Sequence, residues 1–100
     1  MSHFDQNLKI VKKKKDELYF KIYAMYVDNR IFKNVTCVLL KGDTIIKTLK
    51  PICIEEDGIY FMLDNELPCG EYTYRVAEHE KDDMLILMNG RELVIYDTNI

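Results

Sequence analysis

Apolar and polar positions alternate with a period of two along most of the chain. Leu18, Phe20, Ile22, Ala24 and Tyr26 fall on one side of an extended segment, and Tyr19, Lys21, Tyr23, Met25 and Val27 on the other. Such alternation predicts a strand with both faces partly covered. Turn signals then follow at short intervals. Gly42-Asp43 separates VTCVLL (35–40) from TIIKTL (44–49), and its leading glycine suits a tight hairpin. Asp57-Gly58 separates PICIEE (51–56) from IYFML (59–63), and Asn89-Gly90 separates MLILM (84–88) from RELVIY (91–96); both dipeptides are hairpin signatures. A two-residue loop at Asp57-Gly58 would set Glu56 opposite Ile59, Ile54 opposite Phe61 and Ile52 opposite Leu63, giving one nearly apolar face. No segment carries a helical stripe: over residues 7–17 only Leu8, Ile10 and Val11 are apolar. The pattern predicts an all-β domain, a single antiparallel β-sandwich of about eight short strands. Residues 18–100 form its body, and residues 1–17 a basic arm or a first strand.

Composition agrees with one small packed domain. The 100 residues are 48% hydrophobic and 31% charged, too apolar for a disordered chain. No apolar run nears the length of a membrane helix, and the opening MSHFDQNLKIVKKKK shows no secretory core, so neither membrane association nor export is expected. Cys37, Cys53 and Cys69 are sixteen residues apart. Their odd number, with no Cys-x-x-Cys pair, predicts reduced thiols buried as small hydrophobes, with no metal or cofactor.

Charge is divided unevenly along the chain. Residues 1–50 hold ten Lys and one Arg against five acids, a net of +6. Residues 51–100 hold one Lys and two Arg against twelve acids, a net of −9. Two outcomes follow: the halves intermix and neutralise each other, or the molecule presents unlike faces that dock head-to-tail or onto a complementary protein. A pI near 5.3 with a single basic run speaks against a nucleic-acid partner.

The most specific stretch is LPCGEYTYRV (67–76). A Leu, a Pro/Gly turn and a Tyr-x-Tyr-x-Val strand opening resemble the tyrosine corner of immunoglobulin-like and fibronectin-type-III-like sandwiches, in the form found in structural proteins of tailed bacteriophages. The resemblance implies that Leu67 plugs the end of the sandwich, Gly70 permits the corner, and Tyr72 buries its ring while its hydroxyl bonds a nearby carbonyl. It further implies a non-enzymatic virion component, a head decoration protein or a tail adaptor, assembled in the host cytoplasm and bound to neighbouring subunits or to copies of itself. A free intracellular adaptor or inhibitor that binds one host protein is the alternative.

The residues themselves offer few other sites. Lys12, Lys13, Lys14 and Lys15 suit an acidic partner surface, or an edge strand guarded by lysines. Tyr19, Tyr23 and Met25 would form an apolar contact stripe if exposed. Glu78 to Asp83 cluster acids around His79 but lack the spacing of a cation loop, and the chain's one serine, Ser2, lies far away in sequence. Neither catalysis nor a small-molecule substrate is expected.

Overall fold

A computed structural model describes residues 9–23 and 33–97. Eight strands follow in order: β1 (Ile10–Lys13), β2 (Leu18–Tyr23), β3 (Val35–Lys41), β4 (Thr44–Leu49), β5 (Cys53–Glu55), β6 (Gly58–Leu63), β7 (Gly70–Glu80) and β8 (Asp83–Tyr96). They form two sheets, one ordered β1-β8-β7-β3-β4 and the other β2-β6-β5. The all-β sandwich expected from the period-two pattern is therefore the fold, and among the described residues there is no helix. Every pairing is antiparallel except β1 with β8, which run parallel with Ile10 opposite Leu93 and Lys13 opposite Tyr96. The first basic segment is thus a strand of the larger sheet, and the turn after it carries the chain across to the smaller one.

The core lies between the sheets. On β2, buried Phe20 and Ile22 alternate with Tyr19, Lys21 and Tyr23, which turn outward. Opposite them stand Phe61 and Ile59 of β6; Phe20 and Phe61 stack with centroids 5.6 Å apart. The larger sheet answers with Cys37, Leu39, Tyr74, Val76, Leu93 and Ile95, all at most 2% exposed. Burying an aliphatic or aromatic side chain this completely contributes about 1.5–3 kcal/mol each.

Three turns test the sequence reading. Gly42-Asp43 closes the β3–β4 hairpin as expected, with Lys41 opposite Thr44. At the β5–β6 hairpin the loop is Glu56-Asp57, one residue earlier than expected, so Ile54 faces Ile59 and Glu55 faces Gly58. This shift moves the register by two positions and so keeps Ile54, Ile59, Phe61 and Leu63 on one face, whereas Ile52, expected opposite Leu63, lies before β5 and is 55% exposed. Gly58 serves a different purpose from a turn: a β-carbon there would lie 2.7 Å from the Ile22 carbonyl oxygen and 2.8 Å from Lys21 Cε. Its lack of a side chain lets β6 close against β2.

The third turn is displaced altogether. Asn89-Gly90 lies inside β8, where Tyr74 faces Arg91 but Val76 faces Met88. The dipeptide makes a bulge, with Gly90 at φ 68° supplying the left-handed conformation. A second irregularity at Leu87 follows, since Ala77 faces Ile86. The hairpin itself is closed by Lys81-Asp82 between Glu80 and Asp83, with Lys81 at φ 51°. An Asn-Gly pair satisfies a bulge as well as a turn, because both need the same backbone conformation.

Candidate functional site

The lysine run splits by side. Lys12 is only 2% exposed. Its ammonium bends back to donate to the carbonyls of Lys13 and Lys14, each at 3.0 Å. Burial pushes its pKa below the usual lysine value, against the pull of Asp16. Lys12 is therefore turned away from any partner surface, which corrects its inclusion with Lys13, Lys14 and Lys15 among the lysines expected to meet one. Lys14 donates to the carbonyl of Asn65 at 3.2 Å, tying the β1–β2 turn to the segment after β6. Lys15 is exposed and Lys13 half-buried.

The tyrosine stripe is also reorganised. Tyr19 is 61% exposed and Tyr23 38%, whereas Met25 lies outside the described residues. Between the two tyrosines, Lys21 places its ammonium 4.5 Å from the Tyr23 ring centre and 5.2 Å from that of Tyr60. It also pairs with Asp57, a hydrogen bond that raises the Lys21 pKa and lowers that of Asp57. The aromatic surface thus runs across β2 and β6 around a cation, because Lys21 and Tyr60 face each other in register.

At the entry to β7 the Tyr72 hydroxyl donates to the Pro68 carbonyl at 2.7 Å. Its ring and Leu67 are buried, and burial raises the Tyr72 pKa. Gly70 adopts φ 152°, a conformation side chains avoid, and the Lys41 ammonium passes 5.2 Å from the Tyr72 ring centre. These contacts are local in sequence, so Leu67, Gly70 and Tyr72 come together at one corner.

The acidic segment caps an arm, the outer end of the β7–β8 hairpin. Among the described residues, β3 follows β7 as far as Val35 opposite Glu78, with one more backbone bond from His79 to Asn34. Beyond it, Glu80 to Asp83 close the hairpin tip. Met84, Leu85 and Ile86 of the arm are 49%, 53% and 45% exposed. In the sequence pattern they are ordinary strand residues of MLILM. A hint was present: an unbroken apolar run belongs in a strand covered on both faces, and here it adjoins a cluster of four acids.

The remaining candidates have plain geometry. His79 Nε2 lies 2.8 Å from Thr36 Oγ1, on the strand face opposite to that of its neighbour Glu78, so the two do not form an acid–base pair. Both His79 and Thr36 line an open cleft of about 390 Å³ with Asn34, Lys50 and Cys53. Among the described residues, no group of three His, Cys, Asp or Glu side chains is placed to hold a metal. Cys37 is buried, and burial pushes its pKa up to about 12. Cys53 and Cys69 are exposed, which corrects the expectation of three buried thiols: Cys53 falls on the outward side of β5 and Cys69 in the corner. No protein family, curated protein or solved structure matches the chain.

Proposed function

We propose that this chain is a non-enzymatic, immunoglobulin-like module that works by binding protein, as a decoration or tail-adaptor component of a bacteriophage particle. The immunoglobulin-like part is supported by strand order. β5-β6-β2 and β4-β3-β7-β8 follow the D-E-B and C′-C-F-G sets of such sandwiches, and the Tyr72 corner sits where that fold has one. The observation that carries protein binding is the arm: three consecutive large apolar residues, each about half exposed, at the outer end of the β7–β8 hairpin. Exposed apolar clusters on small domains mark contact surfaces. The virion setting rests on the resemblance of the corner segment alone.

Density-gradient sedimentation of particles from cells that express the tagged chain tests this reading. The expected result is co-sedimentation with particles at a fixed copy number that survives a second gradient. A chain left at the top of the gradient overturns the virion assignment. If that fraction is a stoichiometric complex with one host protein, the chain is a free adaptor.

A further inference from the structure

We infer that Arg75, at the centre of the outer face of the five-stranded sheet, anchors a carboxylate of the protein this chain binds. The inference rests on the protein-binding reading and names the chemistry of the partner. β7 is the middle strand of that sheet. Tyr72, Tyr74 and Val76 face the core, so Thr73, Arg75 and Ala77 turn to the opposite side. On β3 the same side carries Leu40, Val38 and Thr36, opposite Thr73, Arg75 and Ala77 in turn. Val38 and Ala77 are 8% and 1% exposed, although they point away from the core. Arg75 stands beside both, across from Val38 and two residues from Ala77, so its stem and guanidinium are set in an apolar patch.

The charge of Arg75 is unanswered within the chain. Its Nε is buried without a hydrogen-bond partner. Among the described residues it forms no ion pair, whereas Lys9, Lys21 and Lys47 each meet a carboxylate. Glu92, the acid nearest to it in register on this face, stands opposite Thr73 and lies 3.6 Å from the Lys9 ammonium. An unsatisfied donor on a cation is costly, and a guanidinium presents two parallel N–H groups that match one carboxylate. On the β8 side the ladder passes from Tyr74–Arg91 to Val76–Met88, skipping Arg75. The Asn89-Gly90 bulge lies there, and a β-carbon on Gly90 would find nothing within 4 Å, so that side is open. The neighbours supply the rest of a contact. Ile86 faces Ala77 and Met84 faces His79, so two of the exposed arm residues share this side. Exposed Ile45, opposite Leu40, shares it on β4. A central arginine among apolar residues is the composition of an interface hot spot. The partner that fits is a protein surface that sets one Asp or Glu side chain among apolar ones.

Nuclear magnetic resonance of the whole isotope-labelled chain tests the idea with a blocked tripeptide, acetyl-Val-Glu-Val-amide, and its Gln counterpart. The Arg75 Nε–H resonance, assigned as the one lost in Arg75→Lys, should move as the Glu peptide is added. The Gln peptide should bind at least about tenfold more weakly, because it offers no charge-assisted bond. Arg75→Lys keeps the charge without the fork and should weaken the Glu peptide about tenfold. Arg75→Gln should abolish the preference for Glu over Gln. Circular dichroism and melting curves confirm that both variants are folded. An Nε–H resonance that stays in place overturns the inference. So does equal affinity for the two peptides, or an Arg75→Gln variant that keeps the preference. Sedimentation with particles separates the two readings: a wild-type chain that co-sediments while ignoring the Glu peptide overturns the carboxylate anchor and leaves protein binding standing.

Discussion

Tyr72 shows how one side chain can join two parts of the fold. Its ring fills the end of the core while its hydroxyl satisfies the Pro68 carbonyl at 2.7 Å, holding the chain as it turns from the segment after β6 into β7. Tyr72→Phe keeps the ring and removes the donor, leaving that carbonyl without its partner. The expected loss is about 1 kcal/mol, read as a lower urea midpoint at unchanged slope. An unchanged midpoint would mean that solvent replaces the hydroxyl and that the corner is held by ring packing alone. Lys12 is the contrasting case. The corner was legible because Leu67 to Tyr72 is a contiguous segment with its own geometry. The inward turn of Lys12 was not, because it depends on β1 lying parallel to the distant end of β8, and nothing in KKKK distinguishes one lysine from the next.

At the scale of elements, period-two alternation was enough to predict an all-β chain, since side chains in a strand must alternate between faces. Face assignments survived even where a turn moved: the β5–β6 loop slipped by one residue, yet Ile54, Ile59 and Phe61 stayed on one side. The β7–β8 hairpin escaped the reading because its loop lacks glycine, while the Asn-Gly signal was consumed by a bulge. Exposure of the arm was hidden for a related reason. An apolar run looks the same whether a strand beside it is present or missing. The loop's chemistry yields a prediction. Lys81 holds φ 51°, a conformation that costs a residue with a β-carbon about 1 kcal/mol or more. Lys81→Gly should therefore stabilise the domain by about 0.5–1 kcal/mol, after glycine's greater freedom in the unfolded chain is subtracted. Thermal melting of the two proteins checks it, and a lower midpoint in the glycine variant would refute the strain argument.

Across the whole molecule, the division between a basic first half and an acidic second half is partly folded away. Lys9 with Glu92, Lys21 with Asp57, and Lys47 with both Asp64 and Glu66 each join a lysine of the first half to an acid of the second. Intermixing of the halves, one of the two expected outcomes, is what these pairs show. Lys47 matters most, because it reaches from edge strand β4 to the segment after β6, a tie between the two sheets. Its ammonium lies 2.9 Å from Asp64 and 3.6 Å from Glu66. The hydrogen bond to Lys47 holds the Asp64 carboxyl below its usual range, and the same bond raises the Lys47 pKa. The unfolded chain therefore takes up protons first as pH falls, so this stabilisation is present above about pH 4 and lost below it. On the alkaline side it is lost only as pH rises through the raised lysine value. Lys47→Glu sets three carboxylates together and should cost about 1 kcal/mol at neutral pH. Acidification should then reduce the difference, because the wild type loses an attraction as the carboxylates take up protons while the variant loses a repulsion. Urea unfolding of both proteins from pH 7 down to about pH 3 measures this convergence. Parallel stability curves across that range would show that the Lys47 contacts stabilise through packing of the lysine stem, with no contribution from charge.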